Sequence, residues 1–316
     1  MKKYWLLIPV VCLLASVLYS CSHGLKKKEN IIIAVIPKVD NEIFNQVKES
    51  AMQAGKKLGI TVTWEAPTSN DGAKQKELIE NLIKYKVDGI IISCNDEEML
   101  REPINKAIKA GIKVGTFDSD CAKSDRLFYV GSNNIKAGKV CGKTMFELFD
   151  KAKKKPQHIL VLSGGVNASN MKERFSGFQM EMGNDKISNV IYTFEMEGYG
   201  EELLTMNLKK NKNIDAVQMI WGLPALRGVD SIPALSNFMK KGGIAVFFDT
   251  SKPLLKYIKD HPNCATMKQD FHGMGYYAVE NMYNAIMKLP YEKEMAFDVK
   301  VIDQSNAAEE LKNWDK

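Results

Sequence analysis

From residue 31 onward the chain switches regularly between two periodicities. IIIAVI (31–36) is an unbroken apolar run rich in β-branched residues, the pattern of a strand covered on both faces. Phe44, Val47, Ala51, Ala54 and Leu58 then recur at helical spacing, and Gly59 stops that helix. ITVTWEA (60–66) predicts the next strand and Lys74 to Tyr85 the next helix. GIIIS (89–93), a helix from Glu97 to Ala110, KVGTF (113–117) and RLFYVG (126–131) complete a first series. A second series opens with a helix near Lys136 to Lys151, then HILVLSG (158–164), a helix near Asn170 to Met182 and VIYTFEM (190–196). It continues with a helix near Glu201 to Lys210, AVQMIW (216–221), another helix, IAVFF (244–248), a further helix and CATMKQ (264–269). A helix near Gly273 to Lys288 and one last strand around Ala296 to Ile302 end the pattern.

Strands alternating with helices of this length form parallel sheets, and two such series predict an α/β protein with two doubly wound parallel-sheet lobes. The 316 residues, 45% apolar and 26% charged, are ordinary globular material with enough apolar content for both cores. Ligands of doubly wound sheets sit at the carboxyl ends of the strands. The polar residues that follow each strand are therefore the candidates for function.

The first twenty residues stand apart from this pattern. MKK is followed by an apolar stretch, Tyr4 to Leu18, too short and wrongly flanked for a membrane span. It ends in LYSC (18–21), which resembles the lipobox of bacterial lipoprotein signal peptides, with Cys21 as the lipidated first residue of the mature chain. Residues 1–20 are thus expected to be a signal peptide and 21–30 a polar tether, so that the protein is exported and held to a membrane by lipid. Removing residues 1–20, with Lys2 and Lys3 and no acids, leaves 42 basic against 38 acidic residues. So even a balance, with KAKKK (151–155) lacking interleaved aromatics, argues against a nucleic-acid partner. Cys94, Cys121, Cys141 and Cys264 show neither CxxC spacing nor a nearby His, which excludes a zinc site by pattern. Cys94 and Cys121 follow neighbouring predicted strands and invite a disulfide, against the plainer expectation of four buried free thiols.

The strand ends carry a selective set of groups. Asn41 and Phe44 follow the first strand, Ser93, Asn95 and Asp96 the third, and Asp118 the run KVGTF. Arg174 closes the polar segment VNASNMKER, while Trp221, Asp249 and Gln269 follow the last three strands of the second series. An Asp accepts two hydroxyl protons at once, whereas Arg, Asn and Gln donate in fixed geometries. Aromatic faces cover the apolar C–H patches of a ring. The combination suits a neutral polyol taken almost wholly out of water, with each buried carboxylate satisfied by hydroxyls or by an arginine. No cofactor or metal is expected, because the His residues are scattered and no phosphate loop occurs.

On these stretches the chain resembles the periplasmic sugar-binding proteins of the ribose/galactose type, the solute receptors of ABC importers. The matching segments are VDNEIFNQVKESAMQAGKKLG (39–59), KVDGIIIS (86–93), AGIKVGTFDSD (110–120), VGSNNIKAGK (130–139), KERFSGF (172–178), VFFDTS (246–251) and ATMKQDFHGMGYYAVE (265–280). The resemblance implies two lobes joined by three crossovers near Ser132-Asn133, Gln269 and Phe297-Asp298. One lobe would take 31–132 with 270–297, the other 133–269 with 298–316. It places ligand contacts on Asn41, Phe44, Ser93, Asp118, Arg174, Trp221, Asp249 and Gln269. Ser119 stands where ribose-type receptors carry an Arg, Ile43 replaces one of two consecutive aromatics, and Trp221-Gly222 lies near their switch-point Asn. These departures argue against ribose itself and leave a hexose, an inositol or another pentose open.

The function this implies is a monomeric, lipid-anchored receptor that closes on a sugar and passes it to an ABC permease. Two alternatives remain at this stage. The same fold can report ligand status to a sensor kinase or chemoreceptor, and Asp118 with Asp120 or Asp249 could serve as the carboxylate pair of a glycosidase. A sugar-responsive repressor is disfavoured, because an export signal stands where a helix-turn-helix would be.

Overall fold

The computed structural model describes residues 30–314 apart from Phe194, Glu195 and Glu197. The expected signal peptide, Cys21 and all of the expected tether except Asn30 lie outside the described residues. The apolar runs of the first series become β1 (Ile32–Ile36), β2 (Thr61–Trp64), β3 (Gly89–Ile92), β4 (Lys113–Phe117) and β5 (Tyr129–Ser132). They alternate with α1 (Asn45–Leu58), α2 (Gly72–Tyr85) and α3 (Glu97–Lys109). Local chemistry marks the helix ends. Asp71 and Asp96 cap α2 and α3 by accepting from Ala73 N and from Glu98 and Met99 N. Gly59 closes α1 in the left-handed region at φ 66°.

The second series comprises α4 (Asn134–Lys151), β6 (Ile159–Ser163), α5 (Ser169–Met182), β7 (Ile187–Tyr192), α6 (Tyr199–Lys210) and β8 (Ala216–Met219). It continues through α7 (Leu223–Leu226), α8 (Pro233–Lys240), β9 (Ile244–Phe248), α9 (Lys252–Asp260) and β10 (Cys264–Lys268). After α10 (Phe271–Ile286), β11 (Glu294–Phe297), β12 (Lys300–Ile302) and α11 (Ala307–Trp314) complete the described chain. The single last strand expected around 296–302 is in fact two strands in different sheets. Asp298 and Val299 carry the chain from one sheet to the other, and apolar alternation alone does not reveal such a break.

Two six-stranded sheets result, ordered β11-β5-β4-β3-β1-β2 and β12-β10-β9-β8-β6-β7. All pairings are parallel except β10 with β12, an antiparallel edge. The two orders superimpose element for element, with β1 matching β6, β4 matching β9 and β5 matching β10. The chain passes between the sheets three times, after β5, after β10 and after β11. Each sheet is covered on both faces, giving two apolar clusters per sheet. Among the described residues no helix is long and apolar enough to cross a membrane.

Two details bear on the site. Helices α4 and α5 approach so closely that a Cβ at Gly138 would lie 2.0 Å from the Arg174 carbonyl, and one at Gly177 would lie 2.0 Å from that of Ile135. The backbone of Arg174 is therefore held by a contact that only glycine permits. Cys94, Cys121, Cys141 and Cys264 are all buried free thiols, so the disulfide reading is not realised here. Burial pushes the Cys141 and Cys264 thiols up to about 12, far from the thiolate needed for exchange chemistry.

Gly138→Ala is expected to destabilise the protein by about 1–3 kcal/mol through overpacking against backbone that cannot retreat. Thermal unfolding followed by circular dichroism reads this as a lowered Tm. A variant with an unchanged Tm would show that α4 and α5 have slack.

Candidate functional site

Between the two sheets lies a small cavity bounded by groups from both. The loop after β1 contributes Lys38, Val39, Ile43 and Phe44, and the end of β4 contributes Asp118. From the other side come Asn170, Met171 and Arg174 of α5, Trp221 and Gly222 after β8, Asp249 after β9 and Gln269 after β10, while Phe271 at the start of α10 closes the first sheet's side. Six of the eight sequence-derived residues thus line one space: Phe44, Asp118, Arg174, Trp221, Asp249 and Gln269.

The two aspartates occupy matching places in the two sheets and are built the same way. Asp118 has φ 53° and Asp249 φ 64°, the left-handed region that Asp tolerates better than most residues. Each amide donates to the neighbouring strand, Asp118 N to Val130 O at 3.1 Å and Asp249 N to Met267 O at 2.8 Å. Each carbonyl accepts a hydroxyl from that strand, Tyr129 Oη at 3.0 Å and Thr266 Oγ1 at 2.5 Å. The same turn, made twice, aims a carboxylate from each sheet into the cavity. Neither Asp caps a helix; Ser251 caps α9 instead.

Arg174 joins these groups. Its guanidinium is 1% exposed and donates through Nε to Asn134 Oδ1 at 2.7 Å, through Nη1 to Ile220 O at 3.3 Å and through Nη2 to Gln269 Oε1 at 2.8 Å. Nη2 stands 3.9 Å from Asp118, and the guanidinium carbon lies 4.0 Å over the Phe248 ring. Gln269 accepts a second bond from Ser132 Oγ and donates from Nε2 to Asp249 Oδ1 at 2.7 Å. Asp118 accepts from Ser93 Oγ at 2.7 Å and from Asn170 Nδ2 at 3.2 Å. Burial pushes the Asp249 carboxyl up to about 6, against the opposing pull of Arg174 and Gln269. Trp221 is buried, and its Nε1 has no hydrogen-bond partner among the described residues.

Two of the expected contacts take other roles. Ser93 is fully buried behind Asp118 and orients its carboxylate. Asn41 turns its side chain back on the backbone, accepting from Ile43 N at 3.1 Å, and fixes the turn that presents Phe44. Phe44 itself packs edge-on against Phe117 and Phe271. Lys38 and Asn170 were missed. Asn170 lies in VNASNMKER and Lys38 directly before VDNEIF, but no periodic signal separates them from their polar neighbours. Asp120, the other carboxylate of the glycosidase reading, is clamped by Arg126 Nε and Nη2, each at 2.6 Å, and does not line the cavity.

The cavity measures only about 40 Å³, room for a few water molecules but not for a sugar ring. The walls meet through direct bonds: Asn170 to Asp118 and, at 3.3 Å, Lys38 Nζ to Asn170 Oδ1. Outside the cavity, Ser169 Oγ receives Asp120 N at 2.8 Å, Asn167 Nδ2 donates to Asp96 at 2.7 Å, and Lys172 pairs with Glu97. A sugar-sized molecule enters only if the sheets part and these bonds exchange.

Comparison with known proteins agrees with this architecture. The ribose import binding protein RbsB of Bacillus subtilis is 27% identical over 261 residues, 82% of each chain. A solute-binding protein from Burkholderia graminis, solved with D-arabinose, superposes with TM-score 0.81 at 28% identity, covering 89% of this chain and 98% of that one. A chain of the XylFII–LytSN complex matches with TM-score 0.77 at 29% identity, covering 87% and 98%. The profile of the periplasmic binding protein domain matches residues 32–289. With two matching parallel sheets, three crossovers and a polar cavity between them, the chain belongs to the periplasmic binding protein family.

Proposed function

We propose that this protein is an exported receptor that captures a neutral sugar or polyol between its two lobes and delivers it to an ABC importer. The observation that carries this reading is the pair of buried carboxylates, Asp118 and Asp249, brought from opposite sheets to one cavity beside a buried Arg174. Ring hydroxyls are the natural replacements for the bonds the walls now make with each other. Hydroxyls donate to Asp118 and Asp249, while Arg174 and the Trp221 indole N–H supply donors for ligand oxygens. Phe44 and Trp221 cover the C–H faces of the ring. The relatives' names support a pentose, since one is a ribose import binding protein and the other was solved with D-arabinose.

Closure in this reading is a population shift toward the form with more contacts. Lipid attachment at Cys21 keeps the receptor near the membrane it serves, and the receptor acts as a monomer. Family and structural neighbours are binding proteins, and the clamped Asp120 gives no support to a glycosidase. The XylFII–LytSN complex favours a second reading, in which the closed form is read by another protein rather than by a permease.

Isothermal calorimetry with D-ribose, D-arabinose, D-xylose, D-glucose, D-galactose and myo-inositol is expected to give saturable binding to at least one. No heat from any of them would defeat the reading. Asp118→Asn and Asp249→Asn should each weaken binding of that sugar by at least about tenfold, the worth of one charge-assisted hydrogen bond.

Asp249 also sets a pH dependence. In this closed form its value of about 6 exceeds the ordinary 3.8 because of burial, so below about pH 6 the closed form without sugar holds a proton there. Sugar hydroxyls favour the ionised carboxylate, so binding expels that proton. Affinity should rise with pH up to about 6 and level off above it. Calorimetry at pH 5 in buffers of different ionisation heat should report the proton release, which Asp249→Asn abolishes.

A further inference from the structure

Four buried ionisable side chains line the cavity: the carboxylates of Asp118 and Asp249, the guanidinium of Arg174 and the ammonium of Lys38. Two negative and two positive charges leave the cavity with no net charge. Ser119, where the sequence resemblance leads one to expect an arginine, cannot contribute; its hydroxyl lies 3.5 Å from Ser169 Oγ and does not line the cavity. The second cation comes instead from the end of β1. Lys38 is 3% exposed, and its Nζ donates to Asn170 Oδ1 at 3.3 Å while Asn170 Nδ2 donates to Asp118 Oδ1 at 3.2 Å. Lys38 and Asp118 belong to one sheet and Asn170 to the other, so the ammonium meets the carboxylate through an amide that arrives only on closure. An unbalanced charge in a closed, water-poor cavity is disfavoured strongly enough to decide which ligands are admitted.

We infer that Lys38 is a specificity-determining residue that holds the cavity at zero net charge and thereby selects uncharged sugars over amino sugars and sugar acids. The inference rests on the proposed sugar-receptor function and names the ligand class by charge. With Lys38 neutralised, the closed cavity carries one net negative charge. A protonated amino sugar then restores neutrality, and a uronate makes the imbalance worse.

The test compares wild type, Lys38→Gln and Lys38→Arg by calorimetry. Neutral probes are D-ribose, D-arabinose, D-xylose, D-glucose, D-galactose and myo-inositol; charged probes are D-glucosamine, D-galactosamine, D-glucuronate and D-galacturonate. Wild type should bind its preferred neutral sugar at least tenfold more tightly than any charged probe. In Lys38→Gln the affinity for amino sugars relative to that neutral sugar should rise at least tenfold, with no gain for uronates, and Lys38→Arg should keep the wild-type ratios. Lys38→Met repeats the arm if the Gln variant loses its thermal unfolding transition. Unchanged ratios in a folded Lys38→Gln or Lys38→Met, or equal loss of every ligand, would each overturn the inference while leaving the neutral-sugar reading intact; a wild type that prefers uronates would overturn both. A wild type that binds no neutral probe would instead overturn that reading, and this inference with it.

Discussion

The constraint that organises the interlobe region is the burial of the Arg174 guanidinium. A cation 1% exposed persists only where its donors are matched by acceptors held in place from several directions. Here the acceptors come from three separate parts of the chain: Asn134 at the start of α4, the Ile220 carbonyl after β8 and Gln269 after β10. Two of these sit where the chain passes between the sheets. A cation that lines the cavity is thus bonded to two of the segments that join the sheets.

Around this cation the two sheets present matched machinery. The turn that bends Asp118 out of β4 is repeated at Asp249 after β9, with the same left-handed φ, the same cross-strand amide bond and the same hydroxyl on the carbonyl. Their surroundings differ. Asp118 receives Ser93 and Asn170, with Arg174 close by, whereas Asp249 rests on Gln269, and burial raises its proton affinity. One scaffold feature therefore yields two carboxylates of different character, suited to different hydroxyls of an asymmetric ring.

Much of the architecture was legible because the strands are buried on both faces. Runs such as IIIAVI and IAVFF admit few other readings, and the polar residues directly after them had nowhere to point but the strand ends. The same logic located Asp118, Asp249 and Gln269. It did not separate residues facing the cavity from those that brace the facing ones. Ser93 and Asn41 have suitable chemistry but spend it on Asp118 and on the backbone of Ile43. Lys38 was hidden for the opposite reason, since a lysine beside a proline in a loop carries no sign that it is buried. The periodic pattern ran β11 and β12 together, because moving from one sheet to another changes the partners of a strand and leaves its own pattern untouched; only the family resemblance put a crossover at Phe297-Asp298.

The matching strand order of the two sheets also divides the walls of the cavity between two frames. Two sheets of one strand order, set apart only by the antiparallel β12, meet at a shared cavity, and each supplies its own side chains to it. The binding surface then has two semi-independent authors. Substitutions in one half can retune recognition while the other keeps the frame, which gives such a receptor a short mutational path from one carbohydrate to the next.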